Sequence, residues 1–282
     1  MKRRSWQEDV FHRFMKDTWG ICALVVLFAF FVTACLVWMG LVAHDWHLVV
    51  HEAGYSPISQ RYWFGTNLIG QDIFSRCIYS TKTAFEVGFL VASVSTFVGV
   101  FLGTYAGYNH GKWEDRLITW LFSCIDAVPF YLLAAAIAFA FKGSHYGLHL
   151  AMILTLWTST CKVIRAQVMK LKNFEFVSSA KIVGLTEKYI IRKYIIPNLT
   201  PMIIVEFTLS FVIAIKTEAV LSFLGLGVKN GVSWGSMLAE ASVEIPAGRF
   251  HNFIAASLFM FTFVMTLNQL SESIQRALDP EP

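Results

Sequence analysis

Six long apolar stretches dominate this 282-residue chain. They cover residues 19–42, 84–105, 117–141, 146–160, 199–221 and 250–270. A helix needs about 20 apolar residues to cross the hydrocarbon core of a bilayer. Charged residues make up only 15% of the chain, against roughly 25% in average soluble proteins. The first stretch is too long for a signal-peptide core and lacks a small-residue cleavage site. The pattern predicts an all-α membrane protein of about six spans.

The distribution of positive charge predicts the orientation. If the amino terminus is cytoplasmic, sixteen Lys and Arg residues fall in cytoplasmic segments and six in external ones. Cytoplasmic loops of membrane proteins carry an excess of Lys and Arg. We therefore expect both termini inside the cell. The two largest segments between spans are then residues 44–83 outside and residues 161–198 inside.

The large inner segment has a helical pattern. Three apolar residues spaced i, i+4 and i+7 predict one apolar stripe on a short helix: Phe176, Ala180 and Val183. Gly184 suits the end of that helix, and Thr186 can cap a second helix that ends before Pro197. Such a helix–turn–helix elbow suits either docking to another protein or contact with lipid headgroups. The spacing alone leaves both interpretations open.

The same segment resembles a known motif. Ser178, Ser179 and Ala180, followed by Gly184, match the small-residue pattern of the "EAA" loop of bacterial ABC importer permeases, and residues 195–198 match its I-L-P-N. In that family the loop is a coupling helix that docks into a cleft on the ATPase. The resemblance implies docking residues here: Phe176, Ser178, Ser179, Ala180, Gly184 and Pro197. The family's Glu is replaced by Ser178, so no salt bridge carries over from that position.

Other motifs narrow the family to the C-type subunit of dipeptide and oligopeptide permeases. Residues 64–76 resemble its F-G-T-D-x-x-G-R-D-x-x-S-R stretch, with Asn67 and Gln71 as departures. Residues 218–227 and 233–235 match its E-A-x-L-S-F-L-G-L-G and S-W-G. Further matches are Trp157 with Lys162, Arg165 and Gln167, and the closing residues 277–280. Residues 268–272 depart from the family's N-L-L-G-D.

This resemblance implies a type I ABC importer permease fold in the bacterial inner membrane. Residues 1–83 would form a cytoplasmic segment, the first span and an external loop, and residues 84–278 the permease domain. The implied partners are a homologous second permease, two ATP-binding cassette subunits, an extracytoplasmic solute-binding protein and membrane lipid, without nucleic acid. The chain would form half of a peptide pathway working by alternating access.

The sequence leaves the substrate open, and it offers two rival classes of function against which the motifs can be weighed. Relatives carry dipeptides, oligopeptides, glutathione, antimicrobial peptides or nickel chelates, so a nickel-chelate or glutathione importer is an alternative. An ion-coupled secondary transporter is the alternative from another class. Such transporters usually show inverted repeats and broken helices, and this sequence shows no convincing internal repeat. An intramembrane enzyme would need a nucleophile–base pair or metal ligands at membrane depth, and no such set falls on matching spans.

Three glycines form a small-residue face on the second predicted span, namely Gly99, Gly103 and Gly107. Glycines allow close helix approach, which matters in lipid because no hydrophobic force drives helices together there. This face suits either static packing within the chain or packing of a moving partner helix.

Charges also occur near the fifth span, at Glu206, Lys216 and Glu218. Intramembrane charges are costly and usually face protein or water. The three residues are candidates for lining a transport path. In the alternative interpretation Lys216 and Glu218 lie near the outer boundary of the membrane, and residues 218–227 form a re-entrant segment.

The chain shows no sign of catalytic or cofactor chemistry of its own. It lacks a phosphate-binding G-x-x-x-x-G-K-[ST] motif, so we expect ATP to be hydrolysed by partner chains. We expect neither a catalytic residue nor a cofactor nor a metal site in this chain. The external His44, Asp45, His47, His51 and Glu52 have side chains that could bind a metal, but we expect them to form a solvated loop.

Overall fold

The computed structural model describes residues 6–142, 144 and 146–278, and their regular structure is helical throughout. The eleven α-helices of this part are α1 (Trp6–Lys16), α2 (Thr18–Trp38), α3 (Ile73–Tyr108), α4 (Trp113–Asp126), α5 (Phe130–Ala140), α6 (Gly147–Leu171), α7 (Glu175–Ile182), α8 (Glu187–Ile190), α9 (Ile196–Phe223), α10 (Trp234–Glu244) and α11 (His251–Leu278). Short 3₁₀ helices cover His44–His47, His51–Ala53 and Ile245–Ala247. The predicted all-α class is confirmed.

Five helices in the described residues are long and apolar enough to span a membrane, and a bent pair makes a sixth. That pair is α4 and α5, which meet at 89°. The sequence predicted one continuous span over residues 117–141, and that expectation is wrong because the structure divides it into two helices. Pro129 explains the break, because it has no N–H to donate and disfavours a helical conformation in the residue before it.

Several spans are longer than predicted, two of them by at least ten residues. The span placed at residues 84–105 begins at Ile73, and the one placed at 146–160 runs to Leu171. Arg76 and Arg165 therefore lie in helices, although hydropathy placed them in loops. Both are paired with carboxylates, as described below, so the helices tolerate charges that the hydropathy pattern counted as span ends. Three positive residues used for the orientation, Lys2, Arg3 and Arg4, and the closing Asp279 and Pro280 lie outside the described residues.

The fold divides into two compact units. One contains residues up to Phe89, residues 138–148 and residues from Val212 onward. Its core is aromatic: the ring of Phe263 lies 5.2 Å from that of Phe30 and 5.3 Å from that of Trp234. Aromatic contacts at these ring distances add to the gain from burial itself. The other unit contains residues 90–137 and 149–211, and it holds the elbow.

Within the first unit, the external segment before α3 is held by polar contacts. Asp72 accepts hydrogen bonds from the backbone N–H groups of residues 74 and 75, which begin α3. Arg76 makes a bidentate ion pair with Glu240 of α10, both N···O distances being 2.7 Å. The two departures from the family motif compensate each other, because Asn67 donates to Gln71 at 2.9 Å. Gln71 also accepts from Arg76.

Candidate functional site

The elbow begins with α7 and turns at Gly184. That glycine has φ +84°, a left-handed conformation that favours glycine. The N–H of Leu185 donates to the carbonyl of Ala180 at 3.1 Å, and the N–H of Gly184 donates to that of Lys181 at 2.9 Å. This pair of bonds is a Schellman motif, which satisfies the last carbonyls of the helix. A Cβ at Gly184 would meet no atom within 4 Å, so the requirement for glycine is conformational.

One face of α7 is buried in the same unit. Val177 and Ala180 are the buried residues of this helix. They belong to a hydrophobic cluster with Tyr108, Ile164, Val168, Ile190, Ile195 and Leu199. Close packing against α3, α6 and α9 holds the base of α7 in a defined orientation, because packed interiors resist rearrangement.

Of the three residues in the predicted apolar stripe, two lie on the surface and one is buried in the chain. Ala180 is buried, but Phe176 is 37% exposed and Val183 77% exposed. The buried pair is Val177 and Ala180, at i and i+3, because the cluster beneath α7 comes from distant parts of the chain. Ser178 and Ser179 are exposed.

Sequence reasoning missed the most exposed large apolar residue of the elbow. Ile182 is 87% exposed and stands beside Val183, just before the turn. These two residues form an apolar tip on the surface, which we call the elbow tip. The adjacent aliphatic pair directly before a helix-ending glycine was the available signal.

The second arm of the elbow does not end before Pro197, contrary to the prediction. After α8 a π-helical turn covers Ile191–Ile195, and α9 begins at Ile196. The helical stretch Glu187–Phe223 therefore runs through the proline, which is exposed. An α-helix would press the proline ring against the carbonyl of Lys193. The π turn just before the proline is wider and replaces the i→i+4 hydrogen bonds of an α-helix with i→i+5 bonds.

Positive charge gathers beside the elbow around Tyr108. The ammonium of Lys172 donates to the backbone carbonyl of Tyr108 at 2.5 Å. The Lys172 and Lys181 ammonium groups lie 5.3 Å and 5.6 Å from the centre of its ring, within the range of cation–π attraction. Burial, and the neighbouring charges of Lys181 and Lys112, lower the pKa of Lys172.

The three glycines of α3 pack against α6 of the same chain. A Cβ built on Gly99 would lie 2.7 Å from the Cβ of Thr160. On Gly103 it would lie 2.6 Å from the carbonyl oxygen of Cys161, and on Gly107 2.6 Å from that of Arg165. Real Cβ contacts are not this short, so these positions need glycine for close helix approach. The geometry favours packing within the chain over a moving partner helix.

The three charged candidates of the fifth span lie in α9 in different surroundings. Glu206 is buried and accepts a hydrogen bond from Thr160 at 3.2 Å. Glu218 is buried and accepts one from Ser222 at 2.5 Å. Lys216 is exposed and lines a cleft of about 790 Å³. Lys216 and Glu218 lie within the last eight residues of the helix.

Comparison with known proteins identifies the family. Residues 99–281 match the family described as "Binding-protein-dependent transport system inner membrane component". The chain belongs to this family. A "Dipeptide transport system permease protein DppC" of Bacillus subtilis (strain 168) is 31% identical over 98% of this chain and 86% of its own length. The chain is thus a multi-pass inner-membrane component of a transport system.

Other relatives differ in the solute that their names state. An "Oligopeptide transport system permease protein OppC" of Mycobacterium tuberculosis (strain ATCC 25618 / H37Rv) is 27% identical over 96% of this chain and 93% of its own length. A "Glutathione transport system permease protein GsiD" of Pectobacterium atrosepticum is 31% identical over 79% and 74%. The relatives thus share a transport role and differ in cargo.

The basic residues that match the family pattern on α6 of this transport component are ion-paired. The guanidinium of Arg165 contacts the Asp115 carboxylate at 2.6 Å and 2.9 Å. The same carboxylate accepts the N–H of Gly111 at 3.1 Å and lies 2.8 Å from Nδ1 of His110. Lys162, one turn earlier, contacts Asp126 at 2.8 Å. These pairs fasten α6 to α4 within one unit.

The external histidines lie in or beside short 3₁₀ helices, with His44 and His47 in one and His51 in the next. Among the residues that the structure describes, no three His, Cys, Asp or Glu side chains are grouped so that they could hold a metal ion. All five cysteines are free thiols.

Proposed function

We propose that this chain is one of two homologous permease subunits of an ATP-driven peptide importer, and that its elbow docks into an ATPase subunit. The observation that carries the proposal is the elbow tip. Ile182 and Val183 are exposed apolar side chains on a helix whose other face is packed into the chain. An apolar projection on a rigid base is suited to inserting into a cleft of a partner.

The lipid-headgroup interpretation of the elbow is less favoured by this geometry. An interfacial helix lays a broad apolar face along the membrane surface. Here the broad face of α7 is already used by Val177 and Ala180 inside the chain. The exposed side of α7 mixes Ser178 and Ser179 with Phe176 and the elbow tip, so it is not uniformly apolar.

Movement at the elbow can reach the membrane through α9. The helical stretch Glu187–Phe223 is continuous over 37 residues. A docked ATPase that shifts the elbow would shift the start of this stretch, because a helix is far stiffer along its axis than a loop. Alternating access would follow from such coupled shifts in the two permeases, with ATP binding closing the ATPase pair.

The proposed partners are a second permease, two ATP-binding cassette subunits, a solute-binding protein and membrane lipid. The binding protein is supported by the description of the family. Peptides are the proposed cargo, since the DppC and OppC relatives are named for dipeptides and oligopeptides. Glutathione is the second candidate, favoured by the relative named GsiD. ATP hydrolysis by the partners, without any cofactor in this chain, completes the proposal.

Reconstitution tests the proposal. Purified alone in proteoliposomes, the chain should neither hydrolyse ATP nor take up peptide. Uptake should appear when the second permease, the ATPases and the binding protein are added, and an ATPase-dead variant of the partners is the control. Peptide uptake by this chain alone, driven by an ion gradient, would instead show a secondary transporter.

Cysteine labelling tests the orientation. Lys229 and Lys188 are both exposed, so a cysteine at either position should not disturb folding. In a cysteine-free background and intact cells, Lys229→Cys should react with a membrane-impermeant maleimide, and Lys188→Cys should react only after permeabilisation. The reverse pattern would place the elbow outside the cell and exclude ATPase docking there.

A further inference from the structure

Of the three charges on α9, one is left without a partner in the described structure. Glu206 and Glu218 are buried and accept hydrogen bonds from hydroxyl groups of their own units. Lys216 is exposed, and its ammonium makes no hydrogen bond or ion pair with any residue that the structure describes. Its requirement for a polar partner must therefore be met from outside this part of the chain.

The position of Lys216 makes exposure to lipid unfavourable. It lies seven residues before Phe223, where α9 ends, which is about 10 Å along the helix axis. An ionisable residue within a spanning helix usually faces protein or a water-filled cavity.

The surroundings of Lys216 are polar on one side. It lines the cleft of about 790 Å³ formed by the last turns of α9 with α10 and α11. Asn268, Gln269 and Glu272 of α11 line the same cleft, whose other walls are apolar. These three side chains also make no hydrogen bond with a described residue. Amide and carboxylate groups without partners are costly in an apolar medium, so water or a polar solute should fill this cleft.

We propose that Lys216 lines the water-filled transport path and attracts the carboxylate of the passing peptide. The inference rests on the proposed function. An ammonium is a compact point charge with three donors on a flexible stem, which suits brief contacts with a moving carboxylate. Glu272 places the opposite charge in the same cleft, as a zwitterionic peptide requires. Glu206 and Glu218, which the sequence grouped with Lys216, are buried and accept hydrogen bonds from Thr160 and Ser222.

Thiol-specific reagents test the path. We would place Lys216→Cys or Asn268→Cys in a cysteine-free protein within the assembled transporter, and apply anionic and cationic methanethiosulfonates with and without ATP turnover. Both positions should react. Phe28→Cys, on the exposed face of α2, is the lipid-facing control and should not react. A Lys216→Cys as unreactive as this control in every state would overturn the proposal, since Lys216 would then face lipid or a dry interface.

The same reagents test the charge. At Asn268→Cys, the ratio of the anionic to the cationic reaction rate should fall roughly tenfold when Lys216→Gln is added, because a nearby charge acts on the two reagents with opposite sign. An unchanged ratio would overturn the attraction. The reaction rates of the reagents do not depend on which solute is carried. The thiol experiments can therefore succeed or fail independently of the proposed function.

Uptake then tests the substrate contact. Lys216→Gln should lower uptake of a free-acid peptide about tenfold relative to the wild type, and Lys216→Arg should restore it. For the C-terminal amide of the same peptide, uptake by Lys216→Gln should differ less than twofold from uptake by the wild type. Because each peptide is compared between variant and wild type, any preference of the binding protein for acid or amide cancels. Equal losses for acid and amide would show that Lys216 does not read the carboxylate.

Discussion

Replacing Ile182 and Val183 together by Asp should abolish ATP-driven uptake while the protein accumulates normally in the membrane. The two side chains are 87% and 77% exposed, so the chain itself loses almost no packing. In a docked interface, each unpaired buried charge costs about 3–5 kcal/mol, which is more than a hundredfold in affinity. Co-purification of the ATPase subunits and peptide uptake by vesicles measure the effect.

A matched control separates docking from general charge effects. Asn173→Asp adds a negative charge at an exposed position just before α7, away from the elbow tip. It should reduce ATPase association less than threefold. If the double Asp variant assembles and transports as the wild type does, the elbow tip does not dock, and the lipid-surface interpretation is correct. Ala180→Arg would be a poorer test, because Ala180 is buried in its own chain and its replacement damages the elbow itself.

Removing Arg165 should cause a large loss of stability. The Asp115 side chain is only 4% exposed, and Arg165→Gln leaves its carboxylate without its main counter-charge. Breaking a buried pair from one side typically destabilises by about 3–5 kcal/mol. Thermal unfolding of the purified transporter should show a clear decrease in midpoint, and the double variant Arg165→Leu with Asp115→Leu should recover most of it.

The neighbouring ion pair on the same helix is the control. Lys162 and Asp126 have side chains that are 45% and 36% exposed, and exposed pairs contribute about 0–1 kcal/mol. Lys162→Gln should therefore barely move the unfolding midpoint. Equal losses for Lys162→Gln and Arg165→Gln would show that burial of Asp115 does not set the strength of the pair.

Some features could be predicted from the sequence because their causes are local. Partition of an apolar helix into lipid depends on its own composition, so the six apolar stretches predicted the spanning elements. The left-handed turn at Gly184 was predictable for the same reason, since its cause is the missing Cβ. The order of short motifs from Phe64 onward was enough to indicate the family, which the comparisons confirm.

The errors occurred where a residue's surroundings come from elsewhere in the chain. The start of α3 and the end of α6 were misplaced because Arg76 and Arg165 find carboxylates on other helices. The second elbow helix was ended too early at Pro197, because the π turn before it was not visible in the spacing.

The sequence by itself determined that this chain crosses the membrane several times, turns at Gly184 and belongs to a transport family. Only the tertiary structure decided which apolar side chains of the elbow are buried and which form its tip. It also decided that Glu206 and Glu218 are satisfied within the chain, whereas Lys216 opens into a cleft. The physical reason is that transfer into lipid and backbone conformation depend mainly on a segment itself, whereas burial and pairing of a side chain depend on which distant residues reach it.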